Sequence, residues 1–316
     1  MKPLRIAIIG YGKIARDQHV PAIQANARFA LAATVSSKPE PHPGIPSFGT
    51  HREMLAAMHD LDAVAICTPP SVRYDIGRDC LLAGKHVLLE KPPAATLGEV
   101  EELARVAAAR DATLFTTWHA QHAAAVADAA RLLAGQKIAA MKIAWREDVR
   151  KWHPGQQWIW EPGGFGVFDP GINALSIASH IVPGALFVRD AELLYPENRQ
   201  TPIAARLNLA SPIASGAIEV AFDWRHQAGE MWRIDIRTAD GLELRLSEGG
   251  AKLTLDGDPV DASGSGEYQS IYNHFVDLID ERRSHVDIEP LRLAAEAFLL
   301  GRRTIVEPFV DRVQDV

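Results

Sequence analysis

The sequence predicts an α/β fold: a doubly wound parallel sheet first, then an α+β domain built on a large, mainly antiparallel open sheet. Three observations predict it. Short apolar runs alternate with helical patterns through the first third, apolar residues switch to period two from Ile218 onward, and helical patterns return near the end. The runs at 4–9 (LRIAII), 29–35 (FALAATV), 62–67 (DAVAIC), 86–90 (HVLLE) and 112–117 (ATLFTT) read as strands. Apolar stretches of this length suit strands covered on both faces of a parallel sheet. Helix starts are legible between them: Thr50-His51-Arg52-Glu53 is a capping box, and Ser71 and Thr96 are candidate caps for the next two helices. Strand and helix in alternation define the doubly wound class.

Beyond about residue 140 the texture changes. Ile218, Val220 and Phe222 alternate, as do Trp232, Ile234 and Ile236, then Leu242, Leu244 and Leu246, then Leu253 and Leu255. Asp240-Gly241, Glu248-Gly249-Gly250 and Asp256-Gly257 supply turns, so the pattern predicts an antiparallel meander with one buried face. Helices are expected at about 267–283 and 289–306. The domains read as 1–120 and 121–316, with the terminal helices in the second.

Bulk composition narrows the classes of function. The net charge of −7, from 33 basic and 40 acidic residues without a Lys/Arg cluster, argues against nucleic acid. No apolar run approaches the length of a membrane span, and Met1-Lys2-Pro3-Leu4-Arg5 leads into no signal-peptide pattern. Cys67 and Cys80 alone make no disulfide framework and read as buried apolar thiols. A cytoplasmic location is the expectation.

The first strand runs into Gly10-Tyr11-Gly12-Lys13-Ile14-Ala15, a G-x-G-x-x-A turn opening a helix. In that context Gly10 permits the tight turn, Gly12 admits a pyrophosphate, and Ala15 lets helix and strand pack closely. Lys13 and Ile14 begin the helix whose amides would hold phosphates. The motif predicts a Rossmann dinucleotide site; the alternative is an ordinary strand-to-helix turn. Where NAD-selective sites place an acidic residue to accept the adenosine ribose diol, this chain has Val35-Ser36-Ser37-Lys38. Hydroxyls and an ammonium there favour a 2′-phosphate, so NADP is the preferred cofactor, with NAD possible. Thr68-Pro69-Pro70 and Glu90-Lys91-Pro92-Pro93 both follow strands, at the ends where ligands bind in such sheets. A lone lysine is ordinarily a solvated surface residue; position and stiff proline backbone single out Lys91.

These residues resemble the Gfo/Idh/MocA oxidoreductases. The resemblance rests on Gly10-x-Gly12, Ala15-Arg16-x-x-His19-x-Pro21-Ala22, Cys67-Thr68-Pro69-Pro70 and Glu90-Lys91-Pro92, and extends through Gly163-Gly164 to Asp169. It implies that Lys91 stands beside the nicotinamide and the reacting carbinol. It also implies that the C-terminal sheet forms the substrate pocket and the interface of a homo-oligomer, a dimer in the simplest case. Members commonly carry Asp-x-x-x-His in the second domain, but this chain has Asp169-Pro170-Gly171-Ile172-Asn173. Spacing i,i+4 keeps Asp169 and Asn173 on one helical face, yet a carboxamide cannot shuttle a proton. This departure, with the double proline, resembles most the aldose 1-dehydrogenases acting on L-arabinose and D-galactose.

Sugar pockets pair aromatic faces with a few directed polar groups. Glu147, Trp152 and His153 fit that description, whereas Trp145 on a strand reads as core. His119, after the last Rossmann strand, is expected to face cofactor or sugar. His119 and His122 are spaced i,i+3 but no third ligand accompanies them, so no metal is expected. Lys91, Asp169 and Asn173 are the catalytic candidates, with Lys91 and Asp169 the titratable two. The function expected is NAD(P)-dependent oxidation of the anomeric carbon of an aldose to the lactone. The alternatives are a dehydrogenase for another polyol, inositol-type or a sugar phosphate, and a non-catalytic regulator that senses sugars or nucleotides.

Overall fold

The computed structural model describes residues 2–37, 42–264 and 266–311. The chain divides into two compact units, the first made of residues 2–119 and 266–288, the second of 120–264 and 289–311. The expected second domain is therefore interrupted: its penultimate helix belongs to the first unit.

In the first unit, β1 (Leu4–Ile9) leads to a helix over residues 13–25 whose middle is a π turn, Ala15–His19, and whose end is α1 (Val20–Ala25). Then come β2 (Phe29–Val35), β3 (Ser47–Phe48), α2 (His51–Ala57), β4 (Ala63–Ile66), α3 (Pro70–Leu82), β5 (His86–Leu89), α4 (Leu97–Ala109) and β6 (Leu114–Thr116). The strands form a six-stranded sheet in the order β3-β2-β1-β4-β5-β6, every pair parallel. The order reverses between β1 and β4, which makes the crevice there the expected ligand site. Both capping boxes are present, Thr50 with Glu53 and Thr96 with Glu99. Ser71 caps nothing: α3 starts one residue earlier, at Pro70, with Pro69 as N-cap. Proline is suited to a first turn, because its missing N–H is an orphan there anyway.

The second unit holds α5 (Val126–Leu133), β7 (Ile138–Arg146), α6 (Val149–Trp152), α7 (Phe168–Ile181), β8 (Phe187–Pro196), β9 (Ala204–Ala210), β10 (Ile218–Asp223), β11 (Met231–Thr238), β12 (Glu243–Ser247), β13 (Lys252–Leu255) and β14 (Asp258–Val260). After α8 (Glu267–Asp280), which joins the first unit, α9 (Glu289–Leu300) and β15 (Gly301–Val306) complete it. The sheet is nine-stranded, in the order β14-β13-β12-β11-β7-β10-β9-β8-β15. The meander from β11 to β14 matches the alternating runs, but β7 lies between β10 and β11, parallel to β10. The expected helix over 289–306 ends at Leu300. Residues 301–306 turn into a strand parallel to β8 because Gly301 breaks the helical run and Thr304, Ile305 and Val306 are β-branched.

The apolar face of α8 explains why it crosses between units. Tyr268, Ile271, Tyr272, Phe275, Val276, Leu278 and Ile279 join Ile6, Ile8, Phe29 and Phe115 in one core on one face of the parallel sheet. Each such side chain stabilises by about 1.5–3 kcal/mol when fully buried. A second core under α2, α3 and α4 covers the other face. Among the described residues no helix is long and apolar enough to cross a membrane.

Candidate active site

Gly10 closes the turn after β1 with φ +90°, a conformation that glycine adopts without strain. A Cβ there would sit 2.7 Å from the Thr68 amide nitrogen, so the glycine also lets β1 and β4 end side by side. A Cβ on Gly12 would meet nothing within 4 Å; the space above that backbone is open to a ligand. Lys13 and Ile14 are exposed at the start of the helix, and Lys13 pairs with Asp17. Ser36 is half-buried at the end of β2, its amide donating to the Phe48 carbonyl, and Ser37 is exposed. Lys38 lies outside the described residues.

Thr68 follows β4, and its hydroxyl oxygen is buried without a hydrogen-bond partner. Such an atom costs about 1–3 kcal/mol unless something satisfies it. Orphan hydroxyl, open Gly12 backbone and helix start all lie around the crevice, and together they fit a dinucleotide. These residues would hold its phosphates and ribose.

Lys91, half-buried, is fixed from both sides. On one side Arg73 of α3, 3% exposed, donates to the carbonyls of Thr68, Glu90 and Pro92, tying both loops together. On the other side the Glu90 carboxylate accepts the Lys91 amide at 2.8 Å, the Tyr268 hydroxyl at 2.7 Å and lies 3.0 Å from His19 Nε2. Glu90, a candidate for the cofactor site, is 4% exposed, and its carboxylate is engaged within the protein. Burial alone would raise its pKa; the hydrogen bond and charge of His19, the charge of His119 and the Tyr268 hydroxyl instead hold it far below the usual carboxylate range. Burial opposes charge on His19 too, but Cys67, Tyr272 and Glu90 outweigh it and raise the imidazole well above 6.5. Cys67 is thus half-buried against His19, whereas buried Cys80 is pushed up to about 12 by burial. His119 lies 2.8 Å from Glu267 on α8 and stacks on Tyr268, with ring centroids 5.9 Å apart. Burial opposes its charge, but Glu267 and Glu90 raise its pKa, with Lys91 working against them.

In the second unit, Asp169 stands in the first turn of α7, 6% exposed, and pairs with His153 at 3.3 Å. Asn173 follows one turn on, and its Oδ1 is buried without a partner. Gly171 between them allows α7 to approach β10, since a Cβ there would meet the Phe222 ring at 2.6 Å. Glu147, 3% exposed, accepts the indole N–H groups of Trp224 (3.3 Å) and Trp232 (2.8 Å). Trp145 is core, as expected, stacked on Trp232 at 5.8 Å; Trp152 is 43% exposed and tilted over the same indole at 5.4 Å. His153 packs on Trp224 at 5.4 Å. The second unit thus gathers Glu147 and Trp152 around Trp232, and His153 and Asp169 beside Trp224, with Asn173 one turn along α7 from Asp169.

Sequence reasoning missed Arg73, Tyr268, Tyr272, Trp224 and the polar role of His19. Trp224 ends the alternation Val220-Phe222-Trp224, a signal that was available. Arg73 carried none, because a helical arginine is usually exposed.

A doubly wound sheet with this glycine turn and a lysine fixed beside it defines a nicotinamide-dependent oxidoreductase. The profile of the Gfo/Idh/MocA oxidoreductase family, NAD-binding Rossmann fold, matches residues 4–118. Galactose 1-dehydrogenase of Pseudomonas fluorescens is 47% identical over 311 residues, 98% of this chain and 100% of that protein. The crystal structure of D-galactose-1-dehydrogenase from Rhizobium etli superposes with a TM-score of 0.93 at 47% identity, covering 98% of this chain and 99% of that one. A 3-ketoreductase from Actinomadura kijaniata, in complex with NADP and TDP-benzene, shares the fold alone: TM-score 0.84, 19% identity, 96% and 99% coverage. The chain belongs to the Gfo/Idh/MocA family and is an oxidoreductase with an NAD-binding Rossmann domain.

Proposed function

We propose that this enzyme is an aldose 1-dehydrogenase that oxidises the anomeric carbon of D-galactose and L-arabinose to the lactone. The observation that carries the reading is the 47% identity, along 98% of this chain, to a galactose 1-dehydrogenase. The second unit supports it: indole faces, a buried carboxylate and an unsatisfied amide oxygen suit a ring with apolar faces and a hydroxyl rim. Oxidation removes a hydride from C1 and a proton from O1, leaving the lactone carbonyl. When bound, the oxidised nicotinamide supplies the hydride acceptor. Lys91 holds O1 and takes its proton, while Asp169, with His153 beside it, and Asn173 bind hydroxyls of the sugar. NADP is the preferred cofactor because Ser36 and Ser37 offer hydroxyls where a carboxylate would repel a 2′-phosphate. The open sheet of the second unit is the proposed contact in a homodimer.

Purified protein mixed with either cofactor and with galactose, arabinose or glucose tests the reading through the absorbance of reduced cofactor. Galactose and arabinose share ring stereochemistry apart from the exocyclic CH₂OH, so their kcat/KM values should differ by only about 1–3 kcal/mol. Glucose, epimeric at C4, leaves a directed polar group unpaired and should be far worse. Glucose turned over as well as galactose overturns the substrate; no turnover of any sugar overturns the activity.

A further inference from the structure

Behind Lys91 lies a set of buried ionisable groups with no part in the reaction as written above. His19 is fully buried at the end of the π turn Ala15–His19, within the helix that follows the Gly10-Tyr11-Gly12 turn. Its Nε2 faces Glu90 Oε1 at 3.0 Å and its Nδ1 faces the Tyr272 hydroxyl at 2.7 Å. Tyr268, one turn before Tyr272 on α8, donates to the same Glu90 oxygen, while Glu90 Oε2 takes the Lys91 amide. The other ionisable groups around this set are Cys67 after β4, Arg73 of α3 on the loop carbonyls, His119 after β6 and Glu267 of α8. π turns occur often at functional sites, where they re-aim a side chain. Here the turn delivers an imidazole from the phosphate-binding helix to the carboxylate next to the reactive lysine.

A buried carboxylate adjacent to a lysine favours the charged amine unless another cation balances it. We infer that His19 is a positioning residue for Lys91: by balancing the charge of Glu90 it lets that carboxylate anchor the Lys91 backbone while the amine keeps its reactivity. The inference rests on the reading of Lys91 as the proton-transfer group. Glu90 alone would fix the backbone but bias the amine, and His19 separates the two effects.

The test compares His19→Gln and Glu90→Gln with wild type in the full chain, using a readout that needs no turnover. Acylation of Lys91 by a small anhydride, followed by peptide mass, reports how readily the amine reacts. His19→Gln should slow it by about threefold or more, and Glu90→Gln should not slow it, because the uncompensated carboxylate is gone. In the sugar assay His19→Gln should lower kcat about tenfold while the cofactor KM stays within about twofold. Unchanged acylation in a folded His19→Gln protein overturns the inference. Should that variant not fold, neutron diffraction from wild-type crystals decides: deuterium on both His19 ring nitrogens is expected, and on only one overturns it. Failure of the proposed function is seen separately, as a Lys91→Ala protein that still turns over sugar, and leaves the acylation result to judge His19.

Discussion

The oxygens packed around Lys91 and those packed around Asp169 are satisfied in opposite ways. Around Lys91 the carboxylate and carbonyl oxygens find donors in the protein itself: Glu90 has three, and three loop carbonyls share Arg73, which leaves the Thr68 hydroxyl as the orphan of the dinucleotide crevice. Around Asp169 the protein stops short, since Glu147 is held by two indoles but the Asn173 amide oxygen is buried with no partner. A closed network fixes one geometry, because any displacement strands a buried group. An open acceptor awaits a ligand hydroxyl that recovers about 1–3 kcal/mol. The first arrangement suits a group that must stand in one place, the second a surface that must recognise something arriving.

The hardest way to break the comparison is to remove the shared donor of the closed network. Arg73→Met should destabilise the protein by about 3–5 kcal/mol, because three carbonyls lose a charged donor at about 1–3 kcal/mol each. Urea unfolding measures this, and a loss below about 1 kcal/mol would show that the loops hold themselves. Next comes Lys91→Ala, expected to cost a hundredfold or more in kcat, about 2.7 kcal/mol, with the melting temperature unchanged. Asp169→Asn in parallel should cost about tenfold in kcat, as losing one charge-assisted hydrogen bond to the sugar does; an unaltered pH–rate profile would exclude Asp169 from proton transfer.

A milder probe is pH. Glu90, held below its ordinary range, stabilises the fold at neutral pH and loses that contribution as pH falls below about 4.3. His19, held above its ordinary value, contributes fully below about 6.5 and loses it as pH rises from there through its folded value. The pair therefore stabilises most between these two limits. Wild type should melt progressively lower on the alkaline side, and His19→Gln should lose that slope in calorimetry; parallel slopes would mean the pair is not charged. The smallest effect expected sharpens the cofactor end: Ser37→Asp should weaken NADP use by about 1 kcal/mol or more relative to NAD. Equal loss with both cofactors would remove Ser37 from the 2′-phosphate.

Local patterns made the parallel sheet legible, since each strand is a contiguous apolar run and each glycine turn lies next to its strand. The meander was legible for the same reason, through alternation at 231–238, 243–247 and 252–255. The insertion of β7 between β10 and β11 was not, because register between distant strands leaves no trace in either one. Lys91, Asp169 and Asn173 could be read from motif and spacing. Their supports could not: His19 meets Tyr272 across 253 residues and Glu90 meets Tyr268 across 178. Histidine and tyrosine in amphipathic helices look like ordinary core until a fold brings a carboxylate to them.

The return of α8 to the first unit bears on how the chain is made. The first unit lacks one wall of its core until residue 280 has been synthesised, although its sheet ends near residue 116. About 165 residues emerge between those points, roughly 8–33 s at typical translation speeds. Throughout that interval Ile6, Ile8, Phe29 and Phe115 lie without the helix that covers them, and Glu90 without Tyr268. The apolar face that α8 covers is therefore open through the synthesis of nearly all of the second unit's strands, and the first unit closes its core only when most of the polypeptide has been made.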